Sequence, residues 1–191
     1  MRFPFSRKTT HGVKGSAKLS DECPGVRDER PVLFVDVDGV ISLFGFDPSA
    51  PLPGTFHSVD GILHCIGNEA GRRLARLTDQ FELVWATGWE EKANEYLPHL
   101  LQIPRNLPTL RFDGRAVFGT AHWKLEAIEE YARERPAAWI DDNLDDRCTH
   151  WANQRRAPTL LVETDASVGI TDEHVEELLR FADDVTKVAK A

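Results

Sequence analysis

With 191 residues, 41% of them hydrophobic, the chain suits one globular domain and leaves no room for a second full one. No run approaches the roughly 18 apolar residues of a membrane helix, and the basic opening MRFPFSRKTTHGVKG has no apolar stretch behind it, so a soluble, cytoplasmic protein with no membrane partner is expected. The net charge of −8 divides into +5 over residues 1–20 (Arg2, Arg7, Lys8, Lys14, Lys18) and −13 over the remainder, which argues against a broad nucleic-acid-binding face and leaves only a small basic tail to touch phosphates or an acidic partner.

Residues 1–30 are polar, rich in Gly, Ser and Lys and without hydrophobic periodicity, and read as a disordered, solvated tail. Pro31 then opens the apolar run VLFVDV, so a single domain is placed over 31–191 with its first strand at 32–37. Residues 40–65 carry two Pro-Gly-type interruptions and the string GTFHSVDGILHCI, an expected hairpin that turns at Asp60 and Gly61 and hangs over the end of the first strand as a short flap. FELVWA, a weaker TLRF, AAWID and TLLVET supply further strands, with helical patterns between or after them. Near-continuous apolar strands alternating with helices predict an α/β fold, a parallel sheet covered on both faces. In the helix expected over 122–133, Trp123, Ala127, Ile128 and Tyr131 share the side that faces the sheet. The last helix starts after Thr171, an N-cap followed by Asp172 and Glu173 at the positive end of the dipole. It buries Val175, Leu178, Leu179, Ala182 and Val185 and ends near Lys187. Cys23, Cys65 and Cys148 are odd in number and widely spaced, which suits reduced structural thiols better than disulfides or a zinc site.

Chemistry-bearing residues recur at the ends of these strands. Asp36-Val37-Asp38-Gly39 follows the first strand, so both carboxylates project from the carboxyl edge of the sheet, where open α/β folds bind their ligands. The same string occurs in calcium loops and in the metal-binding D-x-D of glycosyltransferases. The calcium reading fails because Val40 replaces the next oxygen ligand and a strand precedes the motif. Ala86-Thr87-Gly88-Trp89 follows a second strand and offers a hydroxyl and free backbone N–H groups suited to an anion. Lys124 stands near the start of a helix, and Asp141-Asp142 ends another strand. Each has a plain alternative: Thr87 as an N-cap, Lys124 as a solvated helix lysine, Asp141 and Asp142 as caps of the next helix. Cys148 lacks the preceding histidine and the following arginine of a cysteine phosphatase loop, and the histidines, including His122 and His150, read as surface or packing residues.

In that order, Asp36 and Asp38, Thr87, Lys124, then Asp141 and Asp142, the set resembles the four motifs of the haloacid dehalogenase (HAD) superfamily, over residues 32–146. The resemblance implies a Rossmann-like HAD fold with a minimal cap, the flap hairpin only. It makes Asp36 the nucleophile, Asp38 the general acid/base, Thr87 and Lys124 the holders of phosphate, and Asp141 and Asp142 the completion of a Mg²⁺ site that also takes Asp36 and the Asp38 backbone carbonyl. A phosphorylated substrate is implied with it. The residue types suit that chemistry, because an aspartate is ionised at neutral pH without a base, while a metal ion and an ammonium offset the repulsion between carboxylate and phosphate. A proton donor at Asp38 favours a phosphatase over a dehalogenase, since a halide leaves without a proton.

Only about fifty residues separate Asp36 from Thr87, too few for a folded cap, so an open site is expected. The strings WATGWEEKAN and WIDD further resemble the HAD domain of multi-part (Swiss Army Knife) RNA repair proteins, which implies a nucleic-acid end as substrate. Thr87, Gly88, Trp89 and Lys124 are the expected substrate-binding residues. Trp89 either stacks on a base or belongs to the core, and so does Trp123. Two other classes remain open at this point: a non-catalytic metal- and phosphate-binding module, and a glycosyltransferase-like use of the D-x-D string.

Overall fold

The run Val32–Val35 contains no polar residue, and it forms β1 with all four side chains buried. The structure, a computed structural model, describes residues 30–112 and 120–189, so the tail expected over 1–30 lies outside the described residues except for Arg30. After β1 come β2 (Ser42–Leu43), β3 (Gly54–Val59), β4 (Ile62–Gly67), α1 (Ala70–Ala75), β5 (Glu82–Trp85) and α2 (Lys92–Leu101). A 3-10 turn (Ala121–Lys124), α3 (Leu125–Ala132), β6 (Ala137–Asp141), α4 (Asp146–Gln154), β7 (Thr159–Glu163) and α5 (Asp172–Ala189) complete the chain.

Four strands form a parallel sheet in the order β5-β1-β6-β7. Alternate β1 residues explain why the strand is apolar throughout: Leu33 and Val35 pack with Leu74, Leu97 and Leu178 on one face, whereas Val32 and Phe34 pack with Ile128, Ala132 and Cys148 on the other. This is the expected α/β fold with helices on both faces. The chain leaves β1 toward β5 and later returns to β6 on the other side, so the carboxyl end of β1 is the crevice where the strand order reverses. Asp36 stands at that end.

Three sequence expectations change at their edges. β1 stops at Val35 because the next residues turn tightly, with the Val37 carbonyl accepting from the backbone N–H groups of Val40, Ile41 and Ser42. TLRF contributes only a single bridge, Thr109 to Trp85, since the Glu90 carboxylate takes the Phe112 N–H (2.9 Å) that a longer ladder would use. The helix expected over 122–133 opens as the 3-10 turn, and its Ile128 is buried with Trp123, Ala127 and Tyr131 packed around it. Thr171 does cap α5, accepting from the His174 N–H (3.3 Å) while His174 Nδ1 accepts from the Thr171 N–H (3.1 Å). Val175, Leu178, Ala182 and Val185 are buried along that helix, with Leu179 half-buried beside them.

Asp60 and Gly61, with φ of 51° and 80°, form the two-residue turn between β3 and β4. Together with β2 this hairpin is a three-stranded antiparallel sheet, somewhat more than a lone flap, and its tip is tied to α2 where Asp60 accepts from Lys92 Nζ and from the Tyr96 hydroxyl (3.0 Å). Among the described residues no helix is long and apolar enough to cross a membrane.

Candidate active site

Asp36, Lys124 and Asp141 meet at the carboxyl edge of β1 and β6. Lys124 Nζ lies 2.8 Å from Asp36 Oδ2 and 2.7 Å from Asp141 Oδ2, and Asp36 Oδ1 accepts from the Val37 N–H at 2.7 Å. Lys124 is 3% exposed, so it is no solvated helix lysine. Burial opposes its charge, but attraction from Asp36 and then Asp141 outweighs that and raises its pKa. Burial also lifts Asp36 to about 7, with Lys124 pulling the other way and Asp141 adding repulsion. Asp141 is fixed further by the Trp139 indole N–H (3.2 Å) and by the Asn143 N–H (3.1 Å).

Carboxylate oxygens of Asp36, Asp141 and Asp142 lie within 4.8 Å of one another. Burial and then Asp141 lift the half-buried Asp142 to about 6. Among the described residues, three carboxylates against Lys124 leave excess negative charge in a hard, all-oxygen donor set, which fits a divalent cation such as Mg²⁺. Gly39 is required beside it for two reasons: its φ is 74°, and a Cβ there would overlap the Asp142 side chain. Its carbonyl accepts from the Thr164 hydroxyl at 2.9 Å, pinning the turn under Asp142. Neither Asp141 nor Asp142 caps α4; Asp145 does, accepting from the N–H groups of Arg147 and Cys148.

The Asp38 side chain points out of this group. It is 52% exposed, accepts from Trp89 Nε1–H at 3.0 Å through Oδ2, and has Oδ1 3.8 Å from His64 Nδ1. Thr87 is fully buried two residues beyond the Val35–Trp85 pair, with its hydroxyl oxygen accepting from the Trp89 N–H (3.3 Å). It does not cap α2, which begins five residues later without a side-chain cap. Gly88 lies between them in the same loop. Trp89 is only partly buried, and its ring meets the His64 imidazole edge-on with centroids 4.5 Å apart. Trp123 instead packs against Phe112 at 4.6 Å and is a core aromatic.

His64 is the residue that the sequence did not single out. Its Nδ1 is also 3.0 Å from the Ser42 hydroxyl, so the flap reaches the site through His64. The available signal was the Asp60-Gly61 turn, which sets His57 opposite His64; the separate β2–β4 pairing puts Ser42 opposite Ile66, on the same face as His64. His122 has a defined role too, with Nδ1 2.7 Å from Asp145 and Nε2 3.2 Å from Arg147, tying the 3-10 turn to α4. Cys148 is buried and its thiol is pushed by burial to about 12, so it is inert as a nucleophile.

A sequence model of the family described as "HAD domain in Swiss Army Knife RNA repair proteins" matches residues 32–175. No curated protein matches the chain.

Proposed function

Because the chain belongs to this family of HAD domains, we propose that it is a Mg²⁺-dependent phosphomonoesterase that works through an aspartyl-phosphate intermediate and acts on a bulky substrate, the phosphate at a nucleic-acid end. The observation that carries the reading is the buried Asp36–Lys124–Asp141 group beside Asp142 at the switch point of the sheet. Asp36, Asp141, Asp142 and the Asp38 carbonyl would hold Mg²⁺, which supplies positive charge to the phosphoryl oxygens. Lys124 holds Asp36 in place and keeps a cation where negative charge accumulates. Thr87, Gly88 and Lys124 bind the phosphoryl group, and Trp89 borders the organic part of the ester. Asp36 attacks phosphorus, the ester oxygen leaves with the proton of Asp38, and water then cleaves the aspartyl phosphate after giving a proton back to Asp38.

The half-exposed Asp38 and the flap, which is tied down to α2, support access for a large substrate. The acidic body supports contact with an end rather than along a duplex. A glycosyltransferase-like D-x-D gains no support, as Asp38 turns away from the group that gathers Asp36 with Asp141 and Asp142.

The test is hydrolysis of a panel of oligonucleotide ends, nucleotides, sugar phosphates and phosphopeptides with Mg²⁺, combined with rapid quenching of a ³²P-labelled ester. Alkali-labile label on the protein, absent in Asp36→Asn, is the expected result. Tight Mg²⁺ binding without turnover of any ester would instead mark a non-catalytic module, and strong preference for a compact metabolite would reject the open-site reading.

A further inference from the structure

A carboxylate that is half exposed samples several rotamers, yet an acid delivers its proton only from within hydrogen-bond reach of one oxygen. Asp38 is such a carboxylate, and side chains from two separate elements converge on it. From the loop after β5, the Trp89 indole N–H donates to Oδ2 at 3.0 Å. From β4, His64 places Nδ1 3.8 Å from Oδ1, braced by the Ser42 hydroxyl at 3.0 Å. The two rings brace each other, with 4.5 Å between centroids and planes at 64°. An indole N–H only donates, so Oδ2 is committed as an acceptor and Oδ1 is the oxygen left to carry a proton.

We propose that Trp89 and His64 are positioning residues that lock the Asp38 carboxyl in the rotamer from which it protonates the leaving oxygen, and that the flap serves this purpose rather than that of a substrate lid. The proposal rests on the phosphomonoesterase reading. In the step concerned the Asp36–phosphorus bond forms, the bond from phosphorus to the ester oxygen breaks, and that oxygen takes the Asp38 proton, so an ester whose oxygen is already a stable anion needs the lock least.

The experiment compares kcat and KM of the full chain with Mg²⁺ on an alkyl phosphate and on a nitro-substituted aryl phosphate. A positioned acid contributes about 10² to 10⁴ in rate, and Trp89→Phe, which keeps the ring but not the N–H, is expected to lower kcat on the alkyl ester by roughly 10- to 100-fold and on the nitroaryl ester by less than about 3-fold, with KM little changed. His64→Ala shifts the two in the same direction by less, and His64→Gln recovers part of the loss. Equal losses on both esters would mean that the pair only supports the loop, and a loss confined to KM for nucleotide esters would make Trp89 a base-stacking residue; either overturns the proposal. A wild-type chain that turns over neither ester rejects the phosphatase reading and this proposal with it. A second readout needs no activity: in the metal-free protein, the ¹⁵N-coupled Trp89 indole proton resonance should move when Asp38 is changed to Ala, and an unmoved resonance removes the contact.

Discussion

Asp36 and Asp38 are two residues apart and live in different chemistry. Asp36 is 7% exposed and is held by the Lys124 ammonium in a group of buried charges, whereas the Asp38 side chain is 52% exposed and is held by an indole N–H, with an imidazole nearby. In the buried half, low effective dielectric makes every charge depend on its neighbours, so removing one partner is costly. In the exposed half water competes for each contact, and what protein adds is orientation. On the proposed reading the first half should therefore carry stability and function together, while the second should carry function almost alone.

The largest break in that comparison is Asp36→Asn, which removes the proposed nucleophile and should lower kcat by on the order of 10⁴-fold or more, with the fold retained. Full activity in this variant would sink the mechanism. Next is Lys124→Met, which leaves buried carboxylates facing each other. Breaking a buried pair costs about 3 to 5 kcal/mol, so Tm should drop by roughly 10 °C at pH 8, as read by calorimetry. The loss should shrink toward pH 5, where the carboxyls take up protons instead. A drop equally large at both pH values would assign it to packing rather than charge.

The buried half was legible in the sequence because each of its acidic groups follows an apolar strand: once VLFV and AAWID are read as parallel strands, Asp36 and Asp141 fall on one edge. The sheet and α5 were legible for the same reason, periodicity plus a Thr171 cap. His64 was not, since the Asp60-Gly61 turn fixes its β3–β4 register but how the hairpin leans on the loop after β5 is a tertiary fact with no local pattern. TLRF misled for a related reason, because the Glu90 side chain, distant in sequence, takes the N–H of Phe112.

A smaller effect sharpens the metal side of the comparison. Burial sets the Asp36 carboxyl at about 7 and Asp142 at about 6. The folded metal-free protein thus holds protons that an unfolded chain, with carboxyls near 3.8, has already released. Stability from these groups is present below about pH 4 and is lost as pH rises through about 7. Asp142→Asn should accordingly raise the metal-free Tm above pH 6, by roughly 2 to 4 °C for about 1 kcal/mol after allowing for solvent screening of a half-exposed group. The same variant should lose most of the Tm increase that Mg²⁺ gives the wild type, and chelation should abolish wild-type turnover. Unchanged Mg²⁺ affinity in Asp142→Asn would remove Asp142 from the ligand set and leave Asp141 as the ligand from that pair, and activity surviving thorough chelation would remove the metal proposal.

The smallest expected effect separates the flap's two anchors. Its tip is held where Asp60 accepts from Lys92 and Tyr96, contacts that keep the Asp60 carboxyl below its ordinary range, with Lys92 the larger cause. That anchor is present at neutral pH and is lost as pH falls through the carboxylate range. Both contacts are exposed, so Asp60→Asn should leave Tm nearly unchanged while amide exchange across residues 54–67 quickens by about 3-fold and that in β1 and β6 does not. His64 keeps Ser42 and Trp89 as neighbours in this variant, and kcat on an alkyl phosphate should stay within about 3-fold of wild type. A loss as large as that of Trp89→Phe would mean that the tip contact with α2, and not the ring pair at mid-strand, sets the Asp38 rotamer, and the exposed half of the site would then extend from Asp38 out to Lys92 and Tyr96.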